Sequence, residues 1–396
     1  MSISTDPVTK SGELTSRYTH TFMNTFGAPQ LVLVKGEGVH VWDADGKQYL
    51  DLLAGIAVNA LGHAHPAIIE AVTTQVNELG HISNFFTSPA QVALGEKIQQ
   101  IFDASGYDAP VKVFLANSGT EANEAALKLT RLHKPGGKVL SLTHSFHGRT
   151  MGALSVTEKP VIREPFEPLP GNVEFVEPTI AALTAAFNDD VAGIFVEPIQ
   201  GEAGVLPLAD GVLAAIRELC DKHGALLVVD EVQTGIGRTG VWLASQQVRA
   251  DVVTLAKGLG GGFPIGACVG VGAAGDIFGP GSHGSTFAGN PVASAAARAT
   301  LTEVENLLGH VAETGAWLRA QLEAVGYQVR GAGLLLGVEV ADSAVVHQVA
   351  LEAGFIVNAP NGTTIRIAPP LIITEEQLFP FISFMTENAQ TFVNGD

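Results

Sequence analysis

The chain has 396 residues, enough for two hydrophobic cores rather than one small one. Apolar residues make up 46% and charged residues 16%, which excludes a disordered chain. Twenty-two basic against 40 acidic residues give a net charge of −18, which argues against nucleic acid or an anionic membrane as partner. It leaves open small anionic substrates, because a few pocket arginines override the global field.

Residues 1–20 are polar, with no apolar segment of the kind a secretory leader needs, and read as loose. No run of roughly 18 apolar residues follows, so no membrane span is expected. Two cysteines in apolar contexts, Cys220 and Cys268, fit a reducing cytoplasm without disulfides. Residues 31–42, the turn signal Asp45-Gly46 and residues 48–52 predict strand, turn, strand. Pro66 opens a predicted helix over 67–79, stopped at Gly80.

Residues 111–115 predict a strand, followed by Asn117-Ser-Gly-Thr-Glu and a helix with apolar Ala122, Ala125, Ala126, Leu129 and Leu132. A helix N-terminus after a Ser/Gly/Thr turn offers free backbone N–H groups and a favourable dipole to a phosphate. The same residues also suit an ordinary N-cap. A short strand over 139–141 leads into Thr143-His-Ser-Phe-His-Gly-Arg-Thr. Phe146 can stack on a flat heterocycle, and Arg149 can grip a carboxylate in a bidentate fork. A core Phe and a surface Arg explain each of them singly. His144 and His147 lack the companion ligands a metal site needs.

A strand over 193–196 ends in Glu197-Pro198, with Gln200-Gly201-Glu202 beyond it. Val212, Leu213, Ile216, Leu219 and Cys220 recur at helical spacing, and Gly224 closes that helix. Residues 225–229 form a continuous apolar run that ends on Asp230 and Glu231; residues 252–256 form another that ends on Lys257 and Gly258-Leu-Gly-Gly-Gly. Such runs read as buried strands of a parallel sheet, whose carboxyl ends bind ligands. An acid and a lysine delivered to one crevice are the two protein groups that pyridoxal phosphate chemistry requires. Gly235-Ile-Gly-Arg-Thr-Gly240 matches a dinucleotide-binding fingerprint, but Val241-Trp242 is a poor helix start and no acid follows at the expected spacing. From Ala293 a long Ala-rich helix leads away. Strands over 327–340 and 363–367, joined through 355–357, predict a smaller α+β unit, closed by a helix over 378–392 with the capping box Thr374-Glu-Glu-Gln377. Arg366 interrupts an apolar strand, which suits either a residue facing a site or one on a sheet edge.

These pieces, in this order, resemble the class III pyridoxal-phosphate-dependent aminotransferases of fold type I: Asn117-Ser-Gly-Thr-Glu-Ala-Asn, Ser145-Phe-His-Gly-Arg-Thr, Glu197-Pro-Ile-Gln-Gly-Glu, Asp230-Glu-Val-Gln-Thr-Gly, Ala256-Lys-Gly-Leu-Gly-Gly-Gly and Ser285-Thr-Phe-Ala-Gly-Asn-Pro. The resemblance implies an α/β fold. A large cofactor-binding domain (61–292), with a mostly parallel sheet flanked by helices, is joined to a small α+β domain (293–396), against which an N-terminal segment (1–60) packs. It also implies pyridoxal 5'-phosphate as cofactor. Lys257 would bond to the cofactor aldehyde and move the substrate proton, and Asp230 would hold the pyridine nitrogen. Val232 and Phe146 would cover the two ring faces, and Gln233 would reach the ring hydroxyl. Ser118, Gly119 and Thr120 would bind the phosphate, joined by Thr286 from the other subunit of a homodimer.

For substrates, Leu50-Asp-Leu-Leu-Ala-Gly-Ile-Ala-Val-Asn-Ala-Leu-Gly-His is similar to the branch that acts on N2-acetyl-L-ornithine. There Arg149, with Ser285 nearby, would hold the α-carboxylate of acetylornithine. Arg366 would hold that of glutamate or 2-oxoglutarate, and Glu202 would be the gate that pairs with Arg366 and releases it. Gly55, where ornithine-specific relatives carry tyrosine, would leave room for the acyl group. Rival readings are the use of free ornithine, 4-aminobutyrate or succinyl-diaminopimelate, a nucleotide-dependent dehydrogenase resting on Gly235–Gly240, and a non-catalytic scaffold. The last two leave Asp230 and Lys257 without work.

Overall fold

The structure, a computed structural model, describes residues 9–395. Its centre is a seven-stranded sheet: β1 (Val111–Ala116), β2 (Lys138–Leu142), β3 (Val173–Val176), β4 (Val191–Val196), β5 (Leu226–Asp230), β6 (Val252–Leu255) and β7 (Gly266–Val271). The spatial order is β1-β7-β6-β5-β4-β2-β3. Only β7 runs antiparallel to its neighbours. Every residue of β4 and β5 is buried, as their unbroken apolar runs predict. Helix Gly119–His133 lies on the sheet through Ala122, Ala125 and Ala126, whose small side chains permit a close approach.

β3 and β7 go unforeseen in the sequence. β7 reads GACVGV, and its glycines mark backbone contacts rather than a break: a Cβ on Gly266 would lie 2.4 Å from the Ser118 carbonyl oxygen. This contact sets the phosphate-cradle turn directly on the sheet.

A second sheet is built from Leu33–Glu37, His40–Asp43, Gln48–Asp51 and Phe355–Ile356. The single strand expected over 31–42 is in fact a hairpin that turns at Gly38, with φ 57°. Its last strand comes from far along the chain and pairs parallel with Gln48–Asp51. A third sheet takes the order Val329–Ala332, Leu335–Glu339, Thr364–Ile367, Asn358–Asn361. Arg366 therefore sits on an interior strand, not an edge. Of the N-terminal stretch read as loose, residues 1–8 lie outside the described residues, and Lys10–Thr21 is a helix capped by Thr9. The Ala-rich helix is Pro291–Glu305, followed by a second over Leu308–Ala324. The last predicted helix is two, Glu375–Glu387 and Ala389–Asn394, and the Thr374–Gln377 capping box is formed. No described helix is long and apolar enough to cross a membrane.

Candidate active site

Five strands deliver their carboxyl ends to one pocket of about 430 Å³. Asn117–Thr120 follow β1, Phe146–Arg149 follow β2, and Glu197 follows β4. Asp230 ends β5, and Lys257 comes two residues after β6. All of them line the pocket, with Val232, Gln233 and Glu202. Val58 joins the wall from a turn over Ala54–Ala57 that winds left-handed, at φ 51°, 66°, 65° and 61°. Gly55 lies in that turn, exposed and off the pocket wall, so the structure gives no sign that it makes room for an acyl group.

At the pocket floor, Asp230 is 4% exposed. Its Oδ2 accepts from Asn123 Nδ2 at 2.7 Å and from His147 Nδ1 at 2.8 Å, and its Oδ1 accepts from the Val232 N–H at 2.9 Å. Thr254 Oγ1 donates to Asn123 Oδ1 at 2.8 Å, which fixes the amide so that its NH2 faces the acid. Burial pushes the His147 imidazole down, but the Asp230 carboxylate outweighs it and the net shift is upward. Three donors thus converge on one buried carboxyl group, which fixes its orientation toward the pocket.

Lys257 faces the same space. Burial, reinforced by the Arg366 charge and opposed by Glu202, Asp230 and Glu197, brings its amine down to about 8. Its backbone sits at φ 45°, a left-handed conformation uncommon for a non-glycine residue and a recurrent mark of functional sites. Burial, partly offset by His147, pushes the Glu197 carboxyl up to about 7. Glu197 accepts from the backbone N–H of Phe146 at 2.7 Å and of Gly201 at 3.3 Å.

At the anion end, Ser118 caps helix Gly119–His133, its Oγ accepting from the Glu121 N–H at 3.2 Å. The N-cap and phosphate-cradle readings are thus compatible, since the cap leaves other N–H groups of the turn free. A Cβ on Gly119 would lie 2.8 Å from Val232 Cγ1, so only glycine lets the helix end close over the pocket. Thr120 Oγ1 lies 2.8 Å from Thr150 Oγ1.

Arg149 stands exposed at the pocket wall, its guanidinium 5.8 Å from the Phe146 ring centre. Arg366 does not line the pocket; it lies behind Glu202 and Gln233, 1% exposed. Its Nη1 donates to Glu202 Oε1 at 2.6 Å and to Gln233 Oε1 at 3.0 Å, and its Nη2 to Asn358 Oδ1 at 2.7 Å. Burial would raise the Glu202 carboxyl, but the Arg366 and Lys257 charges outweigh it and hold it low. Ser285 and Thr286 stand in a neighbouring cavity with Phe85 and His283. Ser285 Oγ accepts from Asn117 Nδ2 at 2.9 Å, which ties that cavity to the cradle.

Three residues of the site escaped the sequence reading: Asn123, His147 and Glu197. Asn123 had a legible signal. It stands four residues into a helix whose N-terminus faces the site, among alanines that pack on the sheet. No helix follows Gly235–Gly240, so the segment lacks the helix N-terminus that a dinucleotide fingerprint needs. A Cβ on Gly237 would meet Val304 Cγ1 at 2.6 Å, and one on Gly240 would meet Ala312 Cβ at 2.8 Å. These glycines let the loop pack against two helices. Together, the cradle closed by Gly119, the hydrogen-bonded acid on the floor, the depressed lysine and the apolar walls of Val232 and Phe146 fit a flat, phosphorylated heterocycle carrying an aldehyde.

The family model for class III aminotransferases matches residues 23–387. The acetylornithine aminotransferase of Mycolicibacterium smegmatis is 51% identical over 381 residues, 93% of this chain and 96% of that one. Among solved structures, the ornithine aminotransferase from Toxoplasma gondii superposes with a TM-score of 0.89 at 34% identity, covering 95% of this chain and 94% of that one. The N-acetylornithine aminotransferase from Stenotrophomonas maltophilia superposes at 0.79 with 33% identity, covering 95% and 98%.

Proposed function

The chain belongs to the class III aminotransferases, and on that premise we propose that it moves the δ-amino group of N2-acetyl-L-ornithine to 2-oxoglutarate, giving N-acetylglutamate 5-semialdehyde and glutamate. The observation that carries this reading is a pair of carboxylate anchors of which one is masked. Arg149 is open at the wall, while Arg366 is neutralised by Glu202. Two substrates with different carboxylate placements, taken in turn, need such a pair. The choice of acetylornithine over ornithine rests on the 51% identity, over 93% of the chain, to a relative of that name.

When bound, pyridoxal 5'-phosphate supplies the aldehyde that carries the amino group and a ring that withdraws electrons from the carbon losing its proton. Ser118, Gly119 and Thr120 would hold the phosphate, Val232 and Phe146 would cover the ring faces, and Asp230 would hold the ring nitrogen. Gln233, held by Arg366 and on the pocket wall, would reach the ring hydroxyl. Lys257, as a neutral amine, would move the proton between the substrate carbon that bears the amino group and the cofactor. Arg149 orients acetylornithine with Ser285 behind it. Glu202 swings away from Arg366 to admit glutamate or 2-oxoglutarate.

The reading divides the chain into 1–60, 61–292 and 293–396, supported by the pairing of Phe355–Ile356 with Gln48–Asp51. It includes a homodimer in which Thr286 reaches the partner's phosphate, supported by the exposure of Phe85 at 93% and Phe287 at 60% beside it. The enzyme is assigned to the cytoplasm, consistent with two unpaired, buried cysteines.

The test is to mix the yellow holoenzyme with single donors and no acceptor, following loss of visible absorbance. Acetylornithine and glutamate should bleach it at least about tenfold faster than ornithine or 4-aminobutyrate, a margin of about 1.4 kcal/mol in the barrier. Fast bleaching by ornithine or 4-aminobutyrate alone overturns the substrate. Succinyl-diaminopimelate reports whether a larger acyl group is taken as well.

Loading of the cofactor-free chain also has a pH signature. Only the neutral amine attacks an aldehyde, and the Lys257 value lies below the free value of 10.5. The second-order loading rate should therefore climb about tenfold per pH unit below about 8 and level off above it. A climb that continues to pH 10 contradicts the depressed amine.

A further inference from the structure

The gate assigned to Glu202 has an unusual mounting. The carboxylate sits on a short loop after Gln200, and three of the loop's carbonyl oxygens are each held by a side chain from the third sheet. Arg366 Nη1 reaches Gly201 O at 3.2 Å, Asn361 Nδ2 reaches Ala203 O at 2.8 Å, and Arg330 Nε reaches Gly204 O at 2.8 Å. The three donors come from three different strands. They are themselves fixed. Asn361 Oδ1 accepts from the Thr363 N–H at 3.0 Å, which forces its NH2 toward the loop. Arg330 Nη2 donates to the buried Thr364 Oγ1 at 2.5 Å, and its Nη1 lies 3.3 Å from Glu339 Oε2.

The loop is also seated by shape. Gly204 has φ 111°, and a Cβ there would lie 2.4 Å from Asn361 Nδ2. On the strand beneath, a Cβ on Gly337 would lie 2.7 Å from Gly204 O. Val205 is fully buried at φ 56°, a conformation unfavourable to a β-branched residue, and survives only because its surroundings dictate it. Nothing in the chemistry of the pocket asks for so rigid a backbone. The gate does, if its motion is to be confined.

We infer that Arg330 and Asn361 are positioning residues that lock the backbone of the Glu202 loop, so that exchange between the two carboxylate-binding states is carried by the Glu202 side chain alone. This rests on the gate reading above. A loosened loop holds Glu202 less firmly against Arg366. The unmasked guanidinium then captures the α-carboxylate of the amino donor and turns its δ-amino group away from Lys257. The glutamate half-reaction, which needs Arg366 free, is spared or improved.

The test compares Asn361→Asp, Asn361→Ala and Arg330→Gln with Glu202→Ala, all as holoenzyme. Asn361→Asp keeps size but sets a charged acceptor against the Ala203 carbonyl, while Asn361→Ala removes the donor without adding charge, so agreement between the two isolates the lost hydrogen bond even if Arg330→Gln does not fold. Two quantities are read: the ratio of single-turnover kcat/KM for glutamate to that for acetylornithine, and amide hydrogen exchange of the peptide covering 201–205. One lost hydrogen bond should raise the ratio about five- to tenfold and speed loop exchange by a similar factor. A merely structural role would lower both half-reactions together and leave the ratio unmoved. Unchanged loop exchange in the folded variants overturns the lock. Faster exchange with a ratio within twofold of the parent overturns its role in the gate, provided Glu202→Ala itself moves the ratio. If Glu202→Ala does not move it, the gate reading falls, and the lock is judged by hydrogen exchange alone.

Discussion

Lys257→Ala is expected to lower transamination by at least about 10^4-fold, the range that loss of a nucleophile and of a positioned base commands. Lys257 is the only lysine that lines the pocket among the described residues. A guanidinium, such as Arg149 presents on the same wall, does not serve as a general base. No other side chain there combines a depressed cationic pKa with a place at the end of the sheet. The fold should persist, because the substitution removes a charge that burial already disfavours. Steady-state turnover, with far-ultraviolet circular dichroism as the control for folding, checks this. Small amines added to the variant should restore part of the proton transfer. Turnover within tenfold of the parent would place the base elsewhere.

Asp230→Ala should cost both activity and stability. The acid answers Asn123, His147 and the Val232 N–H at once, on a pocket floor where it is almost wholly buried. Removing it leaves a buried imidazole whose Nε2 already has no partner. Breaking a buried, charge-assisted pair in this way costs about 3–5 kcal/mol of stability. Turnover should fall by about 10^3-fold or more, about 4 kcal/mol in the barrier, since the ring nitrogen loses its anion. Asp230→Asn separates the two effects. The amide keeps much of the packing, so thermal stability recovers, but it cannot stabilise a protonated ring nitrogen, so turnover does not. An asparagine variant with near-parental turnover would remove the acid from the chemistry.

The parts of this site that were legible in the sequence are those set by local rules. Continuous apolar runs over 225–229 and 252–256 put Asp230 and Lys257 at strand ends, because a strand buried on both faces has no polar alternation to hide it. The turn Ser118-Gly-Thr announces itself through helix-capping chemistry. What stayed hidden depends on partners remote in sequence. Glu197 looks like any acid before a proline until the loop carrying Phe146 folds over it. His147, already without the companion ligands of a metal site, gains a role only when β5 brings Asp230 beneath it, 83 residues on. Arg366 offered an edge strand and a binding site equally; the choice needed the neighbour Asn358–Asn361, which covers the edge. The dinucleotide-like glycines fail for a related reason. Their spacing is right, but the space they create is filled by two helices that begin more than fifty residues later.

The parallel pairing of Gln48–Asp51 with Phe355–Ile356 has a consequence for how the protein is made. On the ribosome, the strand at residue 48 emerges early and must wait for some three hundred further residues before its partner exists. At five to twenty residues per second that is roughly fifteen seconds to a minute. Throughout it the nascent chain carries an unpaired strand edge, able to recruit another chain in the same condition. The cradle, the acid and the lysine can all assemble during that interval, but Arg366 follows the closing strand in the chain and is not yet made. A chain cut short before residue 355 would thus carry the amine and the acid but neither the second carboxylate anchor nor a finished edge. Synthesis of this protein should accordingly lean on chaperones more than its final stability suggests, and most heavily when translation is slow.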